Sequence, residues 1–534
     1  MASPAAIASY LESVDPASGE VIARFEATPP VEVPRILEQA RAAQQSWKRL
    51  RLQERCAFIG KLKDVFYQRR NEIADVVTRE VGKPRVESLF SDVLISLDAA
   101  AYYADFKRVQ KLLKSERVPH HNLAMKAKSG RIQYEPRGVI GIISPWNFPI
   151  TIPIGQILPA LVAGNAVVLK PSELTPWCGA LIGEMCGQAG FPTGLVQVIQ
   201  GRGDLGAALV EPGGPTAPPD SPSCDKIIFT GSVATGRRVG EACARRLVPC
   251  VLELGGKDAM VVLADAELEI ASSGAVWGSF TNCGQACLSV ERLYVERSVA
   301  DRFTELCVAK AKRLRVGPGS DPETEVGPMI TRQQVERVER QLEDAVARGA
   351  RILLGGRRSS RGGCYFEPTV MTGVNHSMLL MQEETFGPVL AIYPVEDATE
   401  AVRLANDSKF GLSASVWTRD SKRGEQIAAQ LNAGTVMVND VISAFGVCEA
   451  PHGGRGASGW GHTHSRLGLL EMVQVKYVDV DRLPRVPKSW WYGYNADLGA
   501  AAERFLEFLF APKASEKFRK VRGALGAVFR KGRI

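Results

Sequence analysis

Cys287, in the run Asn282-Cys-Gly-Gln-Ala-Cys287, is a candidate nucleophile. A thiolate attacks carbonyl carbon readily, and the acyl thioester that follows is open to water, which suits an enzyme that must make and then release an acyl group. Upstream, Glu253 ends the apolar run Val248–Leu254 just before Gly255-Gly256. A carboxylate there is expected to be desolvated and raised in pKa, as a general base requires. Asn147 sits in Pro145-Trp-Asn-Phe-Pro149, where two prolines fix the loop and the side-chain amide can donate to a developing oxyanion. Each residue also has a plainer use: Cys287 in core packing, Glu253 as a turn or capping carboxylate, Asn147 as a buried turn amide. Taken singly, none of the three decides the matter.

A second set suits a nucleotide. Lys170-Pro-Ser-Glu173 closes the apolar run Asn165–Lys170, and Phe229-Thr-Gly-Ser232 with Gly236 follows another. In open α/β sheets the ligand crevice lies at the carboxyl ends of the strands. A lysine and a glutamate there can bind ribose hydroxyls, and Ser232 at a helix start can meet a pyrophosphate. Gly201-Arg-Gly203-Asp-Leu-Gly206 has the GxGxxG spacing, but no acidic residue follows at about 20 residues, as a dinucleotide fingerprint would need. Asp220 and Asp225 fall in or beside the Pro/Gly/Ser-rich stretch 211–223, read as an inserted surface loop.

The elements that must position these residues follow from the apolar pattern. Gly138 to Leu169 carries no charge, yet Pro145, Pro149, Pro153 and Pro159 break it, with Gly141, Gly155 and Gly164 between, so a membrane helix is disfavoured. Strand Gly138–Ser144, a loop through Thr151, a short buried helix Ile154–Gly164 and strand Asn165–Lys170 make a βαβ unit with strands buried on both faces. The alternation continues through Leu195–Gln200, Lys226–Ser232 and Pro249–Gly256, then restarts after about residue 255 with the runs at 259–265, 292–296, 390–396, 413–418 and 435–440. The expected fold class is α/β, with two doubly wound domains. Two alternating segments, 124–138 and 472–481, look like exposed strands suited to pairing between subunits.

The 534 residues are 45% hydrophobic and 23% charged, an ordinary globular composition. Eleven cysteines with no CxxC pair suggest neither a disulfide scaffold nor zinc, and no metal site is expected. The first residues lack a basic flank followed by an apolar run, so no signal peptide is read and a cytoplasmic location is expected. Of the net charge of +8, seven charges belong to the chain from Lys513 onward, where eight basic residues face Glu516 alone. The remainder is balanced, which excludes a nucleic-acid footprint for the body.

Taken together, the strings resemble the aldehyde dehydrogenase superfamily over roughly residues 10–480. PWNFP, KPSE, FTGSxxxG, LELGGK, GQxC, EETFGPV at 383–389 and PxGGxxxSGxG at 451–461 occur in family order, with 34 residues from Glu253 to Cys287. The resemblance implies Cys287 as nucleophile, with Asn147 and the Cys287 backbone N–H holding the oxyanion. It implies Glu253 as the base that activates water against the thioester. For the cofactor it implies Lys170 and Glu173 on the adenosine ribose, Ser232 on the pyrophosphate, Glu384 and Phe386 on the nicotinamide ribose, and close approach at Gly203 and Gly231. Ser144, Trp146, Phe229, Thr230 and Leu254 complete the implied cofactor site. Glu253 argues for hydrolysis rather than transfer to coenzyme A. Glu173 would repel a 2′-phosphate, favouring NAD while leaving NADP open.

Semialdehyde members tend to carry an arginine six residues before the nucleophile; Thr281 stands there, so a neutral, apolar aldehyde is expected, with a semialdehyde dehydrogenase as the alternative. A catalytically idle binding relative and a thiol esterase or amidase using Cys287 alone are the other readings. The implied domains are 1–123 with 139–253 for NAD, 254–470 for catalysis, and 124–138 with 471–486 as oligomerisation strands of a homodimer or homotetramer. The stretch 487–534 reads as a tail of two amphipathic helices: Leu498, Ala502, Phe505, Leu506 and Leu509 on one face, then a basic helix with Phe518, Val521, Leu525 and Val528. It is open between a peripheral membrane contact and packing over a partner subunit or the substrate mouth. Cys283 reads as packing rather than a protective disulfide partner of Cys287. The histidines at 120, 121, 452, 462 and 464 read as loop and surface residues without a catalytic part.

Overall fold

The computed structural model describes residues 10–122, 125–216, 218, 221–488 and 490–512. The stretch 513–534, where a basic amphipathic helix is expected, lies outside the described residues. Two units are distinct: one built from the chain up to Leu112 and from Pro136 to Gln474, the other from Leu113–Glu135 and the chain from Val475.

The larger unit holds two large sheets, of six and seven strands, beside two short two-stranded ones, Tyr10–Val14 with Val21–Glu26 and Phe410–Gly411 with Arg455–Gly456. The first contains β1 (Val139–Ile143), β2 (Ala166–Lys170), β3 (Val196–Val198), β4 (Lys226–Thr230) and β5 (Cys250–Glu253). The second contains β6 (Asp258–Val262), β7 (Val290–Glu296), β8 (Arg351–Leu354), β9 (Thr369–Thr372), β10 (Val389–Val395), β11 (Ser413–Trp417) and β12 (Thr435–Val438). The short β13 (Gly459–Trp460) returns to the first sheet, whose order is β13-β5-β4-β1-β2-β3. Every pair there is parallel except β13 with β5. The chain runs outward through β1, β2 and β3, then crosses back to β4 and β5. The switch point between β1 and β4 therefore opens a crevice at their carboxyl ends. The second sheet runs β8-β9-β10-β7-β6-β11-β12, with only β8 antiparallel. Two doubly wound α/β layers are thus present, as the apolar runs indicated.

Buried parallel strands need apolar side chains on both faces, and β1, β2 and β6 are buried at every position. The helix after β1 differs from expectation. It spans Thr151–Ala163, starting three residues earlier and ending one residue earlier than expected, with all 13 residues buried. Pro153 falls in the first turn, where the missing N–H has no intrahelical partner to lose, and burial holds the helix through Pro159. Cys283 does not lie on a helix either: Asn282 and Cys283 adopt φ of 49° and 57°, and the Cys283 side chain joins the core of the second sheet.

In the smaller unit, Lys128–Pro136 is flanked by Glu116–Val118 and Val473–Asp481 in a three-stranded sheet, the first pair antiparallel. Helix Ala496–Phe510 follows, with Asn495 capping its first turn. Its more covered positions are Leu498, Ala501, Phe505, Phe508 and Leu509, whereas Ala502 and Leu506 of the expected apolar face are exposed. No helix among the described residues is long and apolar enough to cross a membrane.

Candidate active site

The crevice of the first sheet collects the nucleotide candidates because each follows the carboxyl end of a strand. Ser144 and Trp146 follow β1, Lys170 and Glu173 end and follow β2, Gly203 follows β3, Thr230 to Ser232 end and follow β4, and Glu253 and Leu254 end and follow β5. Lys170 is buried, and its Nζ reaches Pro171 O at 3.0 Å and Glu173 at 3.2 Å. Burial lowers its pKa while Glu173 opposes that shift. Ser232 caps helix α1 (Val233–Arg245), its Oγ accepting from the Thr235 N–H at 3.3 Å. A Cβ built on Gly203 meets nothing within 4 Å, so space is open there; one on Gly231 would lie 2.7 Å from the Phe229 ring. Gly231 is therefore glycine for the protein's own packing, whatever it leaves room for. Ser144 Oγ is buried without a partner. An open cradle, a buried ammonium paired to a carboxylate, an orphaned hydroxyl and a helix start along one crevice fit a nicotinamide dinucleotide.

The second sheet presents its amino ends to this crevice. Cys287 precedes β7, and Glu384 and Phe386 precede β10. Phe386 has φ of 54°, a conformation that side chains rarely adopt, so something must hold it. Glu291 does so: its carboxylate accepts from the Thr385 and Phe386 N–H groups at 2.9 to 3.1 Å and pairs with buried Lys257 at 2.6 Å. Phe386 stands edge-on to Trp146 with ring centres 5.4 Å apart, joining the two sheets' loops. Glu384 accepts from Gly256 N–H at 3.1 Å, and burial with nearby Glu291 pushes it up to about 7. A Cβ on Gly255 would strike that carboxylate at 2.3 Å, which explains the glycine before Gly256.

Around the nucleophile the hydrogen bonds are dense. Asn147 Nδ2 donates to Gln285 O at 3.0 Å, tying the Pro145–Pro149 loop to the Cys287 loop. Asn147 O accepts from Lys83 Nζ at 2.8 Å and from Asn282 Nδ2 at 3.1 Å. Lys83 forms an ion pair with Asp92 at 2.9 Å, both side chains fully buried, and lies 4.0 Å over the Phe148 ring centre. Glu87 accepts from Asn282 N–H at 2.8 Å, and Gln285 binds Asn282 O through Nε2 and Ile330 N–H through Oε1.

Cys287, Glu253, Leu254, Thr230, Ile152 and Phe445 share one enclosed cavity. Burial, helped by Asp258, Glu253 and Glu384, pushes the Cys287 thiol above its ordinary range. Glu253 is 4% exposed with neither carboxylate oxygen hydrogen-bonded, and burial raises its pKa well above the carboxylate range. The arrangement sets a thiol and a desolvated carboxyl group on one small space, with the Asn147 loop tied to the loop that carries the thiol.

The reading of the histidines at 452 and 464 as surface residues is overturned. Both are 6% exposed and line this same cavity; His452 and Thr463 exchange backbone hydrogen bonds in an isolated antiparallel bridge that folds the loop back on itself. Lys83, Asp92, Glu87 and Glu291 belong to none of the quoted strings, and Lys257 stands at the end of LELGGK with no role read for it. Their only sequence signal is a charge placed inside or against an apolar run, as with Glu291 in the strand Val290–Glu296.

Comparison with known proteins decides the family. Residues 3–478 match the model of the aldehyde dehydrogenase family. The chain belongs to that family. It is 37% identical over 502 residues to 4,4'-diapolycopene aldehyde oxidase of Methylomonas, covering 94% of this chain and 91% of that one. It is 41% identical over 448 residues to a Mycolicibacterium smegmatis protein named as a succinate-semialdehyde dehydrogenase [NADP(+)], covering 83% and 84%. An NAD+ complex of aldehyde dehydrogenase from Bacillus cereus superposes with a TM-score of 0.83 at 33% identity, covering 89% and 93%. As a member, this aldehyde dehydrogenase is an oxidoreductase acting on the aldehyde group with a nicotinamide dinucleotide.

Proposed function

We propose that the enzyme oxidises a neutral, apolar aldehyde to its carboxylic acid through an acyl thioester on Cys287. Supporting this reading is one observation above all: Cys287 and Glu253 line the same cavity, whose walls include Ile152, Leu254 and Phe445 and no lysine or arginine. Cys287 forms the bond to the aldehyde carbon, and Asn147 Nδ2 with the Cys287 N–H stabilises the oxyanion. Bound dinucleotide supplies the hydride acceptor. Glu253 then takes a proton from water as it attacks the thioester, and the sulfur leaves. Lys170, Glu173, Gly203, Ser232, Glu384 and Phe386, with Ser144, Trp146, Phe229, Thr230, Gly231 and Leu254, are assigned to the dinucleotide. Lys170 Nζ already engages Glu173 and Pro171 O, which favours NAD over a 2′-phosphate.

A carboxylate-bearing substrate would be desolvated in this cavity without a paired cation, at a cost of several kcal/mol. The Methylomonas relative, named for 4,4'-diapolycopene aldehyde, agrees with an apolar substrate; the mycolicibacterial one is named for succinate semialdehyde. Measuring kcat/KM over straight-chain aldehydes of increasing length, with succinic semialdehyde beside them, tests the choice. We expect a rise of about fourfold per buried methylene over the first additions, since each contributes about 0.8 kcal/mol. A preference for succinic semialdehyde contradicts it.

The strands at 128–136 and 473–481 are read as the assembly surface of a homo-oligomer, checked by sedimentation. Segment 487–534 is read as a peripheral membrane contact: Trp490, Trp491, Tyr492, Tyr494 and Phe510 are exposed, and the basic residues from Lys513 follow in the sequence. Flotation on anionic vesicles with and without residues 487–534 tests this, and equal flotation removes it.

A further inference from the structure

His452 and His464 are two imidazoles in a cavity where the reaction, as assigned, uses none. His452 Nε2 lies 3.5 Å from Glu253 Oε2, a contact one small shift short of a hydrogen bond, and Glu253 has no other polar neighbour bonded to it. His464 stands behind, its ring centre 6.0 Å from that of His452, and Phe445 packs edge-on to both at 5.1 Å and 4.9 Å. Space for His464 is made by Gly155, where a Cβ would lie 3.1 Å from His464 Nε2. His462 is exposed and packs over Gly453, the residue following His452. The three rings thus run from the base toward the surface.

We propose that His452 is the proton-accepting partner of Glu253, unloading the carboxyl group so that it can act as a base and passing the proton outward past His462 to solvent. The inference rests on the reading of Glu253 as the base for thioester hydrolysis. A buried carboxyl group that keeps its proton cannot take another from water. Burial raises Glu253 and lowers His452, so in the resting site the proton belongs to Glu253 and His452 is neutral; the transfer is uphill, and the carboxylate it creates 3.5 Å from Nε2 is what stabilises the imidazolium. Transfer from one to the other leaves the pair neutral overall, so no net charge is added to the cavity. The titratable groups facing the pair are Cys287 on its loop and His464 and His462 on the 461–465 segment; Asp258 and Glu384 act on Cys287 in turn.

The hydrolytic step then balances. The proton on Glu253 moves to His452 Nε2, leaving a carboxylate. A water O–H bond breaks, its proton goes to Glu253, and its oxygen bonds to the thioester carbonyl carbon. The C–S bond breaks with its electron pair returning to the Cys287 sulfur, and the acid departs. The imidazolium proton leaves to solvent, restoring the pair. His452 acts through Glu253 and is a positioning and relay residue, separate from the nucleophile.

Stopped-flow assays of His452→Gln and His452→Phe test the relay. Slowing deacylation alone leaves acylation untouched, so an intact NADH burst and an unchanged kcat/KM are expected, while the steady rate and KM fall together by about 100-fold, the low end of what a positioned proton acceptor contributes. The acid limb of the kcat–pH profile should move to higher pH, because Glu253 alone releases its proton later. In His452→Ala, added imidazole should restore part of the steady rate. Wild-type kcat and pH profile in His452→Gln, or a change in KM alone, overturns the relay. Should His452→Phe fail to fold, His452→Gln, which keeps a polar side chain of similar size, carries the test. Glu253→Gln in the same assay separates the two claims. If it turns over normally, the base assignment fails; if it stalls while the His452 variants do not, only the relay fails.

Discussion

Two sides of the catalytic centre, the network that ties Asn147 to the Cys287 loop and the cavity wall that carries Glu253, are built on opposite principles. On the Asn147 side, nearly every polar group is satisfied: Lys83 binds Asp92 and Asn147 O, Asn147 binds Gln285, and Glu87 binds Asn282. On the Glu253 side, both carboxylate oxygens and His464 Nδ1 are buried without hydrogen bonds. A saturated network fixes geometry, because moving any member leaves a buried group unpaired. An unsaturated group carries its desolvation as a raised or lowered pKa, and so stays ready to exchange protons. The contrast teaches that one side holds atoms still while the other changes charge.

The comparison is broken most severely by removing what both sides serve. Cys287→Ala should lower kcat by about 10^4-fold or more, as loss of a covalent nucleophile does, while dinucleotide binding measured by fluorescence titration persists. Residual oxidation near the wild-type rate would remove Cys287 from the mechanism. Next in size is a stability effect confined to the saturated side. Asp92→Ala leaves Lys83 buried without its carboxylate and should cost about 3 kcal/mol in urea unfolding, as breaking a buried pair does. A loss no larger than that of an exposed ion pair would show that this side is not a rigid frame.

Glu87 sharpens the contrast, since it belongs to the saturated side yet is titratable. Burial lifts it to about 7, above the unfolded value of about 4.3. The folded chain thus holds a proton that the unfolded chain has lost across that interval. Its contribution to stability is present below about 4.3 and declines as pH rises to about 7. Glu87→Gln should flatten that part of the stability–pH curve, and an unchanged slope contradicts the assignment. The smallest effect expected is outside the cavity: Glu173→Gln frees Lys170 Nζ and should narrow the NAD to NADP ratio of kcat/KM several-fold. An unaltered ratio would separate Glu173 from cofactor choice.

The same division explains what was legible in the sequence. Cys287, Glu253 and Asn147 stand in short strings with fixed neighbours, and the strands that carry them are unbroken apolar runs, so both fold class and family could be read. Lys83, Asp92 and Glu87 could not be: Lys83 and Asp92 are only nine positions apart, but what ties this cluster into the site is contact with distant segments, Lys83 with Asn147 across 64 positions and Glu87 with Asn282 across 195. His452 and His464 were misread because a glycine-rich loop suggests exposure, whereas the bridge between His452 and Thr463 folds that loop back on itself and the missing side chain at Gly155 leaves space for the His464 ring. The helix expected at Ile154–Gly164 missed its first turn, Thr151–Pro153, because Pro153 reads as a breaker, whereas in a first turn its missing N–H costs no intrahelical bond.

Mass spectrometry of Glu253→Gln, mixed with NAD and an apolar aldehyde and quenched within one turnover, addresses the division of labour across the cavity most directly. Because the nucleophile's side is untouched, the account predicts one NADH per active site and an acyl adduct on the peptide containing Cys287 that persists. An unmodified Cys287 together with wild-type steady turnover would contradict it.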